Sequence, residues 1–187
     1  LRACAGLLAF TAGQAFVLGH DLRADRRALR RRVGLLGHAG FLYDDLTVGD
    51  NVRFAVRAAG GDPATVGPAL ARLELGGRLR DLAVARLSAG QRRRVALAVL
   101  VARRPALWLL DEPHAGLDAA GRDLLDDLVG EASASGATVL FASHEADRAE
   151  ALAGRAVRMV GGQVQPAPAA ATAVGAPATG REVVGVA

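Results

Sequence analysis

Residues 105–110, PALWLL, run without a charge and then stop at Asp111-Glu112. A short apolar run with no alternation is the pattern of a strand buried on both faces, and such strands belong to parallel sheets covered by helices. In open α/β sheets ligands bind at the carboxyl edge, where this run delivers its two acids. Adjacent carboxylates there are costly unless they hold a cation or do chemistry. Asp111 has the hard oxygens that hold Mg²⁺ through water. Glu112, pointing another way, can orient or deprotonate a water molecule. The competing explanation is a pair of helix-capping acids in a loop.

The rest of the chain fits that sheet. LRACAGLLA (1–9) reads as the end of a helix already in progress at the first residue. FTAGQAFVLGHDL (10–22) reads as a turn and a strand, DRRALRRR (25–32) as a short charged helix, and VGLLG (33–37) as a strand. Thr47 and Asp50 form a capping box that opens a helix, and residues 62–86 read as helical with a break at Gly76-Gly77. A helix at 119–134, a strand ATVLFAS at 137–143, a helix at 145–153 and a hairpin around Gly161-Gly162 follow. Strands alternating with helices predict an α/β fold with a mainly parallel core sheet. Residues 48–104 form its helical part. Residues 164–187 are mostly Ala, Pro, Gly and Thr and read as a disordered tail. No internal repeat is present.

Two further stretches carry candidate chemistry. In LSAGQRRRV (87–95), Ser88 is an N-cap and Gln91, three residues on, completes a capping box. A helix start offers free N–H groups and a positive dipole end to an anion, and Arg92, Arg93 and Arg94 add charge. An ordinary capped helix with a solvated basic face accounts for the same residues. ATVLFAS ends in Ser143-His144-Glu145, which puts a histidine at the carboxyl edge. There it can contact a phosphate oxygen or an attacking water, or simply cap a helix.

Composition narrows the classes. All 23 basic residues among 187 are arginine and the net charge is +4. The arginines are scattered, and five Phe, one Tyr and one Trp leave little for base stacking, so no direct nucleic-acid partner is expected. The single cysteine, Cys4, excludes an internal disulfide and fits a reducing compartment. There is no signal-peptide pattern and no run of about eighteen uncharged apolar residues to span a membrane.

In order, LSAGQ (87–91), LWLLDE (107–112), AGLD (115–118) and FASH (141–144) resemble the ATP-binding cassette (ABC) ATPases. LSAGQ matches the family's signature sequence, LWLLDE its Walker B strand and following glutamate, AGLD its D-loop, and His144 its switch histidine. GLLAFTAG (6–13) looks like the segment after the phosphate-loop helix, and LTVGDN (46–51) like the segment after the Q-loop. The likeness covers residues 1–163. LSAGQRRRVALA, PALWLLDEP and LLGHAGFLYDDLT are similar to the cytochrome c maturation, or haem exporter, branch.

That resemblance implies a P-loop NTPase-like cassette whose nucleotide lies between two cassettes in a head-to-tail dimer, with a helical signature subdomain at about 48–104. It implies ATP hydrolysis with Mg²⁺, Asp111 holding the ion's water shell, Glu112 activating the attacking water and His144 contacting the γ-phosphate. Ser88, Ala89, Gly90 and Gln91 would close over the partner's ATP, and Asp118 would couple the two sites. Membrane subunits would dock near His38–Asp45, placing the protein on the cytoplasmic face of the membrane. Two features depart from the pattern. The Q-loop glutamine is replaced by His38, or by Ala39 if the register shifts by one. The signature's middle glycine is Ala89, tolerable where φ is negative. The family's phosphate loop and first strand should precede Leu1, so the chain reads as an N-terminally truncated piece that cannot bind ATP tightly by itself. Two other readings are a cassette ATPase acting on nucleic acid or ribosomes, and a non-catalytic partner completing another chain's site.

Overall fold

Each element forms where the sequence lets backbone and apolar side chains be buried together. A computed structural model describes residues 1–9, 11–37, 40–165 and 183–186; His38 and Ala39 lie outside the described residues. The chain opens in a helical turn that ends at Gly6, where φ is +68°. Leu7 N–H donates to the Arg2 carbonyl at 3.0 Å and Gly6 N–H to Ala3 at 2.9 Å. This crossed pair is the Schellman closure of a helix end. The next segment differs from the single strand expected. β1 (Phe16–Val17) and β2 (His20–Asp21) form an antiparallel hairpin. Its turn residues Leu18 and Gly19 both have positive φ, the two-residue turn that matches strand twist.

Then come α1 (Arg26–Arg32), β3 (Val33–Leu36), α2 (Val48–Ala58), α3 (Val66–Arg72) and α4 (Ala89–Arg103), with 3₁₀ turns at Pro63–Thr65, Gly77–Asp81 and Val84–Arg86. Thr47 Oγ1 accepts Asp50 N–H at 3.0 Å and caps α2, while its hydroxyl donates to the Asp50 carboxylate at 2.8 Å. After these follow β4 (Leu107–Asp111), α5 (Ala119–Ala134), β5 (Thr138–Ala142), α6 (Ala146–Leu152), β6 (Arg155–Val157), β7 (Met159–Val160), β8 (Gln163–Val164) and β9 (Val183–Val186). Among the described residues no helix is long and apolar enough to cross a membrane.

The main sheet has the order β3-β4-β5-β9-β6 and every pair is parallel. Its two faces explain why β4 carries no charge before its end. Leu107 and Leu109 pack with Ala5, Leu22, Leu29 and Val33 on one side. Trp108 and Leu110 pack with Val95, Leu100, Leu125 and Phe141 on the other. Each fully buried leucine or phenylalanine contributes about 1.5–3 kcal/mol. The helices of 48–103 share this second cluster, so the helical part and the sheet have one core. The register sets Leu110 beside Phe141 and Asp111 beside Ala142, bringing the ends of β4 and β5 together.

The tail differs from expectation. The hairpin β7–β8 runs past 163, with Gln165 N–H donating to the Arg158 carbonyl at 2.8 Å. Val183–Val186, expected to be disordered, lie between β5 and β6 with Val186 opposite both Ala142 and Val157. The average composition of 164–187 concealed a short β-branched run, VVGV, which pairs its backbone on both sides. Residues 166–182 and 187 are outside the described residues.

Candidate functional site

Asp111 is the last residue of β4 and is exposed at the carboxyl edge. Glu112 follows it with φ +43°, a left-handed conformation that costs a non-glycine residue about 1–2 kcal/mol. Its N–H donates to the Ala142 carbonyl at 2.9 Å, and its own carbonyl accepts Ala115 N–H at 3.1 Å. This turn lifts the carboxylate off the sheet toward the end of β5. There Oε2 accepts His144 N–H at 3.3 Å, and Oε1 lies 3.4 Å from His144 Nε2. The imidazole is 95% exposed, so the pair stands open to a ligand. A carboxylate beside an imidazole, both wet, can share and move a proton on a bound water.

Ser88 caps α4. Gln91 N–H donates to Ser88 Oγ at 3.2 Å, and Ser88 N–H donates to Gln91 Oε1 at 3.0 Å. Ala89 is the first residue of α4 and is absent from the positive-φ residues, which meets the condition its methyl group imposes. Ser88, Gly90 and Gln91 line a 420 Å³ cavity together with Gly116 and Asp118. Asp118 caps α5, its Oδ1 accepting Gly121 N–H at 2.8 Å. The structure thus joins the signature-like turn to Asp118, while Asp111, Glu112 and His144 are not among that cavity's lining. Each chain presents two separate clusters.

Three residues of consequence have roles that the sequence did not disclose. Arg93, read either as charge for an anion or as part of a solvated basic face, points inward: Nη1 donates to the Gly37 carbonyl at 2.9 Å and Nη2 to the Glu112 carbonyl at 2.8 Å. Burial lowers its pKa from the ordinary arginine value, opposed by the nearby Asp111 charge. His114 is buried and bonded to Asp126 at 2.7 Å. A titratable residue between Glu112 and Asp118 was a signal, but its partner twelve residues on was not. Asn51 is buried and ties down the loop before α2: its Oδ1 accepts Tyr43 N–H at 2.8 Å and its Nδ2 donates to Tyr43 and Thr47 carbonyls, both at 3.0 Å. Tyr43 meets Phe54 edge-to-face with ring centroids 5.1 Å apart. Beside them Phe41, Leu42, Val99 and Arg103 line a 350 Å³ cavity.

Residues 1–115 match the family model described as ABC transporter. The cytochrome c biogenesis ATP-binding export protein CcmA 2 of Cupriavidus metallidurans is 38% identical over 147 residues, covering 78% of this chain and 69% of that protein. A solved ATP-binding subunit of an ABC transporter superposes with a TM-score of 0.75 at 26% identity, over 81% of this chain and 64% of that one. A dimeric cassette in a post-hydrolysis state bound to ADP and Pi shares the fold, with a TM-score of 0.69 at 24% identity over 78% of this chain and 68% of that one. The chain spans about two thirds of the length of the proteins it matches.

Proposed function

The chain belongs to the ABC transporter family, and from that premise we propose that it is the ATP-hydrolysing part of a transporter cassette, of the kind that serves export in cytochrome c biogenesis. The observation that carries this reading is the open Glu112–His144 pair at the end of a doubly buried strand. ATP is hydrolysed to ADP and phosphate. Glu112 takes a proton from the attacking water, and His144 holds the γ-phosphate and the water in line. Asp111 is exposed and offers carboxylate oxygens that would hold Mg²⁺ through water. When bound, Mg²⁺ neutralises charge on the transferring phosphoryl group.

Ser88, Ala89, Gly90 and Gln91 face the ATP of a second cassette in a head-to-tail dimer, and Asp118 reports between the sites. The separation of the two clusters within one chain supports this arrangement. The apolar cavity at Phe41, Tyr43 and Phe54 supports docking of membrane subunits near His38–Asp45, with the protein peripheral to the cytoplasmic face. His38 stands at the Q-loop position.

The test is Glu112→Gln in the full-length protein. It keeps ATP binding and dimer formation and slows hydrolysis by about a hundredfold or more, the scale of a lost general base. Turnover equal to wild type would refute the assignment.

A further inference from the structure

The first turn of α4 has two sides. Outward it presents Ser88, Gly90 and Gln91 to the cavity shared with Asp118. Inward it sends Arg93, whose guanidinium reaches the ends of two strands: the Gly37 carbonyl past β3 at 2.9 Å and the Glu112 carbonyl past β4 at 2.8 Å, with the Asp111 carbonyl 3.4 Å away. Arg93 Nε is buried and has no hydrogen-bond partner among the described residues. An inward guanidinium with an unused N–H is an unfavourable way to fill space. Its benefit lies at Glu112. That residue is left-handed at φ +43°, and such a conformation persists only where the surroundings over-determine it. Three hydrogen bonds hold its peptide: to Ala142, from Ala115, and from Arg93. Arg93 supplies the side-chain member of that set.

We propose that Arg93 is a positioning residue. It fixes the Glu112 peptide so that the carboxylate meets His144, and it ties that geometry to the Ser88–Gln91 turn two residues upstream on the same helix. Displacement of the turn therefore displaces Glu112. On the proposed function, on which only the kinetic part of this inference rests, the turn engages the partner's ATP and Glu112 serves the chain's own. Arg93 then carries cooperativity between the two sites, from one ligand to the other's water-activating group.

The structural half is tested in this chain with Arg93→Met, which keeps an apolar stem and removes the donors, and Arg93→Lys, which keeps the charge but replaces the planar fork with a compact ammonium. Amide hydrogen exchange is followed by mass spectrometry alongside thermal unfolding. In Arg93→Met, exchange over residues 111–118 rises about tenfold or more while β3 and α5 keep their protection, and Arg93→Lys falls between this variant and wild type. Unchanged exchange at 111–118 in both variants, or a rise spread evenly over the molecule, overturns the proposal. The kinetic half uses the full-length protein. Arg93→Met lowers kcat about tenfold, leaves KM for ATP within about threefold and brings the Hill coefficient toward one. A normal kcat and Hill coefficient, with Glu112→Gln inactive in the same assay, overturns the coupling alone. A wild-type protein without ATPase activity refutes the functional reading, and the exchange data still decide whether Arg93 holds Glu112.

Discussion

His144 and His114 each face a carboxylate, and their surroundings differ in almost every physical respect. His144 Nε2 lies 3.4 Å from Glu112, and its side chain is 95% exposed. His114 Nε2 lies 2.7 Å from Asp126, and its side chain is 3% exposed. Asp126 is also gripped by Arg148, through Nε at 2.8 Å and through Nη2, and Arg148 reaches Asp123 at 2.8 Å. These bonds raise the Arg148 pKa above its ordinary value, the Asp126 hydrogen bond foremost. His114 Nδ1 is buried and without a hydrogen-bond partner among the described residues. One pair is therefore loose, wet and free to rearrange around a ligand. In the other the histidine is shielded from water, and the half-buried carboxylate is held by a third partner on another helix.

The pairs sit two residues apart in the chain, at Glu112 and His114. The buried pair anchors the loop between Glu112 and Asp118 to α5 and, through Arg148, to α6, which begins two residues after His144. Arg122 adds a second link from α5 at 3.0 Å to Glu145, next to His144. Residue type does not separate a chemical site from an architectural one. Solvent and the number of partners do.

The largest contrast is kinetic. His144→Ala in the full-length protein should cut turnover about a hundredfold while the unfolding midpoint stays at the wild-type value. A large loss of stability instead would make His144 structural and erase the distinction. Next in size is His114→Ala, which empties a buried position and takes one partner from the half-buried Asp126 carboxylate. It should lower unfolding free energy by about 2–3 kcal/mol in urea titration. A change below about 0.5 kcal/mol, the level of an ordinary surface substitution, would mean the buried pair holds nothing in place. Smallest is Arg122→Ala. Its bridge to Glu145 is about a third exposed on both sides, and its removal should cost about 0.5 kcal/mol or less, weakening further with salt. A cost above about 1 kcal/mol would show that exposure is a poor guide at this end of the sheet.

Much of this was legible because the signals are local. PALWLL had to be buried on both sides, and Leu107 and Leu109 do face a different cluster from Trp108 and Leu110. Ser88 and Gln91, three apart, form their reciprocal cap as spacing requires. The helix read at 119–134 has those limits in the structure, started by the Asp118 cap. Glu112 and His144 were each placed at the carboxyl edge from the strands that precede them, and the β4–β5 register brings them together.

The amino-acid sequence by itself determined most of the helices and the core strands β3, β4 and β5, the Thr47 and Ser88 caps, and the edge where the acids and His144 emerge, since periodicity and capping act within a few residues. Only the tertiary structure decided which way Arg93 points, that His114 meets Asp126, and that Val183–Val186 enter the sheet between β5 and β6. Those outcomes depend on which backbone carbonyls, carboxylates and strand edges lack partners after packing, and such partners lie 12 to 56 residues away. An arginine on a helix carries no mark of whether water or a strand end will accept its hydrogen bonds, because the choice belongs to the assembled neighbourhood.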